Sequence, residues 1–208
     1  MRNRAEKSDW RDGFLFVGYE LVLDFVNTRP VLNGEPVELL PDFEAVLRWY
    51  RAAGVLKPGE FDRLRRQLSG KPEAQRVAES MRELREDLRE AILAWERSGR
   101  PHRATMDQVN ELMLRHPMRT RLAAKGKAYS TEAWFELREP ADLFAPLAQS
   151  AAKLFTEVDC KRVRKCDHCV LHFHDTSKKG TRRWCSMQLC GNRLKVAAYA
   201  ARQRRRVG

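Results

Sequence analysis

The sequence predicts an α+β protein that is mostly α-helical, with an α-rich N-terminal domain containing a small β-sheet and a small cysteine-rich C-terminal domain. Three observations support this fold class. Apolar residues recur at helical spacing through most of the first 159 residues. All five cysteines lie in the last 49 residues, and the excess of basic residues lies there too. We therefore divide the chain into domains at residues 1–159 and 160–208.

The first elements of the chain are short and apolar. Residues 14–17 predict a strand. Residues 19–27 (YELVLDFVN) fit the alternation of a strand and the i,i+4 spacing of a helix equally well, so periodicity does not decide between them. We expect a strand, followed after Gly18 by a helix.

Three longer helices are predicted next. The first covers residues 41–53, with Gly54 as its stop, and the second covers residues 58–69. The longest covers residues 72–98, and its apolar positions form one buried stripe: Val77, Met81, Leu84, Leu88, Ile92 and Trp95. The alternating charges between residues 82 and 90 predict a solvated face.

The pattern changes after the longest helix. Thr105 and Gln108 resemble a capping box and predict a short helix that ends before Pro117. Residues 119–138 predict a β-hairpin or small sheet, pairing with the N-terminal strand. A last helix, residues 140–158, leads into the cysteine-rich domain.

Composition excludes an integral membrane protein. The chain of 208 residues is 43% hydrophobic and 33% charged, and none of its apolar runs approaches the length of a membrane-spanning helix. The first residues carry charges of both signs with no apolar export signal behind them. We expect a cytoplasmic protein.

The net charge of +12 lies entirely in the C-terminal domain. Residues 160–208 contain fourteen basic and two acidic residues, whereas the charges of residues 1–159 cancel. A neutral body joined to a basic domain indicates docking to a polyanion, of which nucleic acid is the commonest. A solvated cationic tail that only aids solubility is the alternative interpretation.

Four of the cysteines follow the spacing of a zinc site. Cys166 and Cys169 form a C-x2-C pair, and 15 residues later Cys185 and Cys190 form a C-x4-C pair. Each short pair supplies two thiolates to one side of a metal site, and the 15-residue segment between the pairs lets the chain return to that site. The spacing therefore suits four thiolate ligands around one structural Zn²⁺. A redox-active dithiol or two disulfides are the alternatives. Cys160 is expected to be a free thiol.

Three histidines lie near these cysteines: His168, His172 and His174. Any of them is chemically able to replace a thiolate. Because four cysteines already complete a tetrahedron, we expect the histidines to lie outside the first coordination sphere.

The N-terminal domain contains no catalytic motif that we recognise, so we do not expect an enzyme. One polar cluster is embedded in apolar surroundings and is a candidate ligand pocket: Asp24, Asn27, Thr28 and Arg29. Hydrogen bonding at a helix terminus is the simpler explanation for this cluster.

The C-terminal domain resembles a known zinc finger. A hairpin is predicted over residues 173–184, around the turn Lys178-Lys179-Gly180. The run W-C-S-M-x-x-C-G-N-R at 184–193, preceded by C-D-H-C and F-H-D-T-S, resembles the CGNR zinc finger. This resemblance implies that zinc is bound by the four cysteines of the two pairs.

The N-terminal domain resembles the α-rich ABATE domain, which accompanies this finger in a family of stress-induced transcription regulators. The similar segments are L-V-L-D-F-V-N-T-R at 21–29, F-E-A-V-L-R-W-Y-R-A-A-G-V-L at 43–56 and L-F-A-P-L-A-Q-S-A-A-K-L-F at 143–155. The resemblance covers nearly the whole chain and implies a bacterial DNA-binding regulator at the nucleoid.

A basic helix is predicted after the second cysteine pair, from about residue 187 or 192 to 205. Its length suits the major groove of double-stranded DNA. The residues expected to contact nucleic acid, on this helix and on the return strand of the hairpin, are Arg182, Arg183, Arg193, Lys195, Tyr199, Arg202, Arg204, Arg205 and Arg206.

Three functions are compatible with these features of the sequence. The first is a zinc-dependent DNA-binding regulator whose N-terminal domain senses a small-molecule effector or forms a homodimer. The second is RNA or ribosome association through the same basic finger. The third is a small-molecule-binding or enzymatic body with the finger as a structural clip, which a pocket around Asp24 and Arg29 would favour.

Overall fold

In the computed structural model of the chain, residues 9–68, 70–126 and 128–191 are described. Helices form most of this part, and its strands make four separate two-stranded antiparallel sheets. The helices are α1 (Leu21–Val26), α2 (Phe43–Ala52), α3 (Pro58–Leu68), α4 (Pro72–Ser98), α5 (Arg103–Arg115) and α6 (Phe144–Glu157). The strands are β1 (Trp10–Arg11), β2 (Phe14–Leu15), β3 (Val31–Leu32), β4 (Glu35–Pro36), β5 (Arg119–Lys125), β6 (Ala128–Trp134), β7 (Val163–Lys165) and β8 (His172–His174). None of the helices in the described ranges is both long and apolar enough to span a membrane.

Local signals position the helices as predicted. Helix α2 begins where the Asp42 carboxylate accepts a hydrogen bond from the Ala45 N–H at 2.8 Å. Beyond its end, Gly54 adopts a φ of +78°, which confirms the predicted stop. Helix α4 spans the predicted residues and buries most of the predicted stripe, including Met81, Leu84, Leu88, Ile92 and Trp95.

Arg85 is an exception to the predicted solvated face of α4, because its side chain is only 2% exposed. Its guanidinium donates to both oxygens of the Glu38 carboxylate, at 2.7 and 2.6 Å, and to the Thr28 hydroxyl at 3.1 Å. A buried guanidinium needs such partners. The prediction of a solvated face is therefore wrong at Arg85. The spacing of charges along α4 contains no sign of Glu38 and Thr28, because these partners are distant in the sequence.

Two other local predictions are wrong. Helix α5 begins at Arg103 after an N-cap at His102, so Thr105 lies inside the first turn and does not cap it. Strands β5 and β6 pair only with each other in the described structure, while β2 pairs with β1. The hairpin β5–β6 therefore does not extend the N-terminal strand.

The buried apolar side chains form two clusters. The larger one joins residues from all six helices and also includes Val163 of β7. The smaller one contains Leu15 and Val17 from the N-terminal segment together with Leu171, Phe173 and three of the cysteines. The N-terminal segment and the cysteine-rich domain therefore share one small core.

Candidate metal centre

The first cysteine pair lies in the turn of the hairpin formed by β7 and β8. Val163 pairs with His174 and Lys165 with His172, and the Cys166 N–H donates to the Leu171 carbonyl at 2.8 Å. The prediction of a hairpin over residues 173–184 is therefore wrong. Strand β8 pairs with the segment before the first pair, because the cysteine turn itself closes the hairpin.

The second cysteine pair is held by a π-helical turn, Met187–Gly191. The Ser186 hydroxyl accepts a hydrogen bond from the Gln188 N–H at 3.0 Å and contacts the Asp9 carboxylate. The Ser186 carbonyl accepts from the Cys190 N–H at 3.1 Å. These bonds fix Cys190 on the same side as Cys185.

The four ligating atoms form a compact cluster. The sulfurs of Cys166, Cys169, Cys185 and Cys190 all lie within 4.8 Å of one another. The Cys169 and Cys185 sulfurs are 3.6 Å apart, and the Cys185 and Cys190 sulfurs are 3.7 Å apart. A tetrahedron with Zn–S bonds of about 2.3 Å has edges of roughly 3.8 Å. The four cysteines are thus positioned to bind one zinc ion, as predicted.

The thiols are also chemically suited to a cation. Hydrogen bonding with Cys169 lowers the pKa of the Cys166 thiol, whereas hydrogen bonding with Cys166 raises the pKa of the Cys185 thiol. A divalent ion bound between the four sulfurs would replace the thiol protons and balance the thiolate charge.

The remaining cysteine and the histidines lie outside this cluster. Cys160 lies in a 3₁₀ turn, Cys160–Arg162, and packs against the larger core. His168 is exposed, and His174 Nδ1 lies 3.2 Å from the Glu20 carboxylate. His172 is buried against α4, with Nε2 3.9 Å from the Glu96 carboxylate.

Another group of potential ligands lies at the start of α6: His116, Glu139 and Asp142. The Asp142 carboxylate accepts hydrogen bonds from the N–H groups of Arg138 and Glu139, at 2.8 and 3.0 Å. Its other oxygen lies 3.1 Å from His116 Nδ1. These contacts complete a helix cap, so the carboxylate already has a structural role.

Arg182 holds the loop between the two cysteine pairs. Its guanidinium donates to the Trp184 carbonyl at 2.8 Å and to the Cys185 carbonyl, and lies 4.7 Å from the ring centroid of Phe173. Arg183 points outward instead, and its Nε lies 2.7 Å from the exposed Asp167 carboxylate. Of the two arginines predicted to contact nucleic acid, Arg182 is therefore engaged within the protein.

Asn27 attaches the cysteine-rich domain to the N-terminal domain, residues 1–159, which we call the helical body. Its side-chain amide donates to the His172 carbonyl and accepts from the His172 N–H, both at 2.8 Å. Both hydrogen bonds are buried and join residues 145 positions apart. The amide thus acts as an additional pairing partner for the outer side of strand β8.

Gly18 provides a second attachment. Its carbonyl accepts from the His174 N–H at 2.9 Å, and its N–H donates to the Asp24 carboxylate at 2.7 Å. A Cβ atom at this position would lie 2.7 Å from the backbone nitrogen of Asp24. Glycine is required here because helix α1 approaches so closely.

The four residues of the predicted pocket each have partners within the protein in the described structure. Asn27 and Thr28 are buried and bonded within the protein, and the Thr28 hydroxyl donates to the Phe25 carbonyl at 2.7 Å. Burial raises the pKa of Asp24 to about 7. Arg29 is half exposed, 3.6 Å from the Glu86 carboxylate. These contacts are of the kind that the simpler interpretation expects, and the ligand pocket stays a prediction.

Sequence reasoning missed the residues that shape the finger. Asp175 is fully buried, and its carboxylate accepts from the N–H groups of Ser177 and Arg182, at 2.9 and 2.8 Å. As one of two acidic residues among fourteen basic ones, Asp175 stood out in the sequence. Ser186 and Gly18 carried no comparable signal, and Asn27 stood out only as a member of the polar cluster, because a main partner of each is distant in the sequence.

Of the predicted basic helix, residues 187–191 form the π-helical turn, and the part from residue 192 onward lies outside the described residues, which end at Gly191. The predicted contacts on it are Arg193, Lys195, Tyr199, Arg202, Arg204, Arg205 and Arg206.

Comparisons with known proteins agree with the fold and the metal centre. A family model for the ABATE domain, described as a putative stress-induced transcription regulator, matches residues 20–158. A model for the CGNR zinc finger matches residues 162–203, which include all four predicted ligands. No curated protein matches the chain. The chain belongs to the ABATE family and carries a CGNR zinc finger after its ABATE domain.

Proposed function

We propose that this protein is a DNA-binding transcription regulator, in which the zinc centre presents a basic surface to duplex DNA and the ABATE domain senses an effector or forms a homodimer. The observation that carries the proposal is the charge asymmetry. Residues 160–208 hold fourteen basic and two acidic residues, whereas the rest of the chain is neutral. Such a basic module matches the phosphate charge of DNA.

The two acidic residues of the module do little to offset this charge. Asp175 is fully buried and its carboxylate binds backbone N–H groups of the loop. Asp167 is paired with Arg183 at the surface. The basic side chains therefore have almost no acidic neighbours in their own module, which favours a polyanionic partner.

Zinc would supply the rigidity that DNA binding requires. When bound, it cross-links the turn of the β7–β8 hairpin to the turn Met187–Gly191. Asn27 and Gly18 then hold β8 on the helical body. The segment after Gly191 accordingly starts from a fixed base, which limits the entropy that is lost on binding.

We further propose that the protein acts by binding rather than by catalysis. Asp24 and Arg29, the pair that would favour an enzymatic or ligand-binding body, have separate partners: the Gly18 N–H and the Glu86 carboxylate. Each of the two side chains is thus already engaged within the protein, which supports binding over catalysis.

The proposal is tested by fluorescence anisotropy with a labelled random 25-base-pair duplex and zinc-loaded protein. If about six phosphates are contacted, raising salt from 50 to 200 mM weakens the affinity by roughly 10³. The variant R204Q/R205Q/R206Q removes three charges from the module and should bind at least about tenfold more weakly. The matched control is R63Q/R66Q/R100Q, which removes three exposed charges from the body and should bind within about twofold of the wild type.

Equal losses in the two triple variants would mean that the module is not the DNA-binding surface. Tighter binding to a single-stranded RNA of the same sequence, measured in parallel, would replace this proposal with RNA association.

A further inference from the structure

A basic cleft lies where the zinc module, the cysteine-rich domain that begins at residue 160, meets the helical body. Its volume is about 280 Å³. The body contributes the end of α4, and the module contributes the turn Cys160–Arg162, strand β7 and the loop around the cysteine pairs. The charged side chains that line it are Glu96, Lys161, Arg164, Lys165, Asp167, Arg182 and Arg183.

Most of the positive charge in the cleft is not neutralised by carboxylates. Asp167 pairs with Arg183 at 2.7 Å. Arg164 and Arg182 donate instead to neutral backbone carbonyls, those of Gly180 and Trp184, which hold the guanidinium groups in place without cancelling their charge. Within the described residues, no carboxylate lies within ion-pair distance of Lys161 or Lys165. The cleft therefore combines two guanidinium groups that backbone carbonyls hold in place, those of Arg164 and Arg182, with two exposed lysines that have no ion-pair partner in the described residues.

Two residues that line the cleft each have a buried polar atom without a hydrogen-bond partner in the described structure: Arg164 Nε and Glu96 Oε1. Buried donors and acceptors are nearly always satisfied in folded proteins. Once these two side chains turn towards the cleft, an oxyanion there would accept a hydrogen bond from Arg164 Nε. A protonated Glu96 would donate a hydrogen bond to an oxyanion in the same way.

Protonation of Glu96 is favoured by its surroundings near neutral pH. Burial raises its pKa to about 7, although the Lys165 N–H and the charges of Lys165, Arg164 and Arg97 act in the opposite direction. From β8, His172 faces it at 3.9 Å, and burial lowers the pKa of that imidazole to about 4, so it stays neutral at pH 6–8.

We propose that this cleft binds a phosphate group, carried by a small molecule or by a nucleic-acid backbone, through Lys161, Arg164 and Lys165. A multiply charged tetrahedral anion suits several converging donors better than a single carboxylate does. A ligand in the cleft would touch the body through Glu96 and the zinc module through β7. This inference goes beyond DNA binding by the basic module and does not depend on it.

The direct test measures binding of inorganic phosphate to the zinc-loaded full chain by ³¹P NMR at constant ionic strength. The variant K161Q/K165Q should weaken binding at least about tenfold. The matched control K178Q/K179Q removes two exposed lysines of the same module that do not line the cleft, and it should match the wild type. Unsaturable binding, or equal binding by the two variants, overturns the proposal.

Sulfate separates the contribution of Glu96 from the titration of phosphate, because the charge of sulfate is constant between pH 6 and 8. The wild type should bind sulfate several-fold more weakly at pH 8 than at pH 6, since ionised Glu96 repels the anion. Glu96→Gln should bind equally at both pH values, with an affinity no lower than that of the wild type at pH 8. A Glu96→Gln variant that loses sulfate binding contradicts the cleft as the site.

The source of the phosphate group is identified by adding duplex DNA to the phosphate-bound protein. Release of phosphate assigns the cleft to the nucleic-acid backbone, and retention of phosphate assigns it to a small molecule; both outcomes support the site. A protein that binds phosphate but not DNA removes the proposed function and leaves this inference intact. Saturable DNA binding without phosphate binding would overturn this inference and leave the proposed function intact.

Discussion

The helical body and the zinc module are stabilised in different ways. The larger core has 29 buried apolar residues, and all of them except Val163 of β7 belong to the body. The core of the module has seven, of which three are cysteines and two, Leu15 and Val17, come from the N-terminal segment. Only Leu171 and Phe173 remain as its own buried apolar side chains in that cluster. Apolar burial sustains the body, whereas the module depends on a metal cross-link and on its attachment to the body.

The largest contrast between the two regions is expected from loss of a zinc ligand. Cys185→Ser should release the metal and unfold the module, because zinc supplies about 10–16 kcal/mol of folding free energy in isolated zinc-finger peptides. The body should remain helical, since its core contains none of the four ligands. Zinc content, far-UV circular dichroism and hydrogen exchange over residues 163–191 measure these effects.

Cys160→Ser is the control, because Cys160 lies outside the cluster and its replacement should leave one zinc per chain. A Cys185→Ser protein that retained stoichiometric zinc, or that lost the helices of the body, would contradict this division of roles.

A smaller effect is expected at the attachment between the regions. Asn27→Ala leaves the buried N–H and C=O of His172 without their side-chain partner, which should cost about 2–4 kcal/mol. The exposed Asn110 provides a matched control, and Asn110→Ala should change the free energy of unfolding by less than about 0.5 kcal/mol. Urea denaturation of the zinc-loaded proteins measures both. Equal stabilities would show that the Asn27 amide does not join the two regions.

The smallest effect concerns pH. Because burial raises the pKa of Asp24 from 3.8 to about 7, the folded protein binds a proton that the unfolded chain has lost between about pH 4 and 7. This contribution to stability is present below pH 4 and disappears as the pH rises through 7. Asp24→Asn keeps an acceptor for the Gly18 N–H and cannot ionise. Relative to the wild type, it should therefore gain about 2 kcal/mol between pH 5 and 8.

Urea melts at pH 5, 7 and 8 check this prediction. A stability difference between Asp24→Asn and the wild type that does not change with pH would show that the carboxylate is ionised throughout that range.

The sequence predicted correctly those elements that depend on residues close to one another in the chain. The spacing of Met81, Leu84 and Leu88 fixes the buried face of α4, and the C-x2-C and C-x4-C spacings fix the ligand set. The fold class, the zinc ion and the family followed from such signals.

The predictions that were wrong depend on contacts between distant residues. The pairing of β8 with β7, the burial of Arg85 against Glu38 and the absence of pairing between β5–β6 and the N-terminal strand are set by tertiary packing. Single-chain periodicity contains no information about these partners. For the same reason, the sequence left a ligand pocket open at the polar cluster around Asn27, although hydrogen bonding at a helix terminus was the simpler explanation.

The central claim is that zinc folds the module and thereby creates its DNA-binding surface. Titration of zinc into metal-free protein in the presence of labelled duplex DNA tests it most directly, with anisotropy and bound zinc measured together. We predict that DNA affinity returns in proportion to bound zinc and reaches a plateau at one ion per chain. Metal-free protein that binds DNA as tightly as the zinc-loaded protein would contradict the claim.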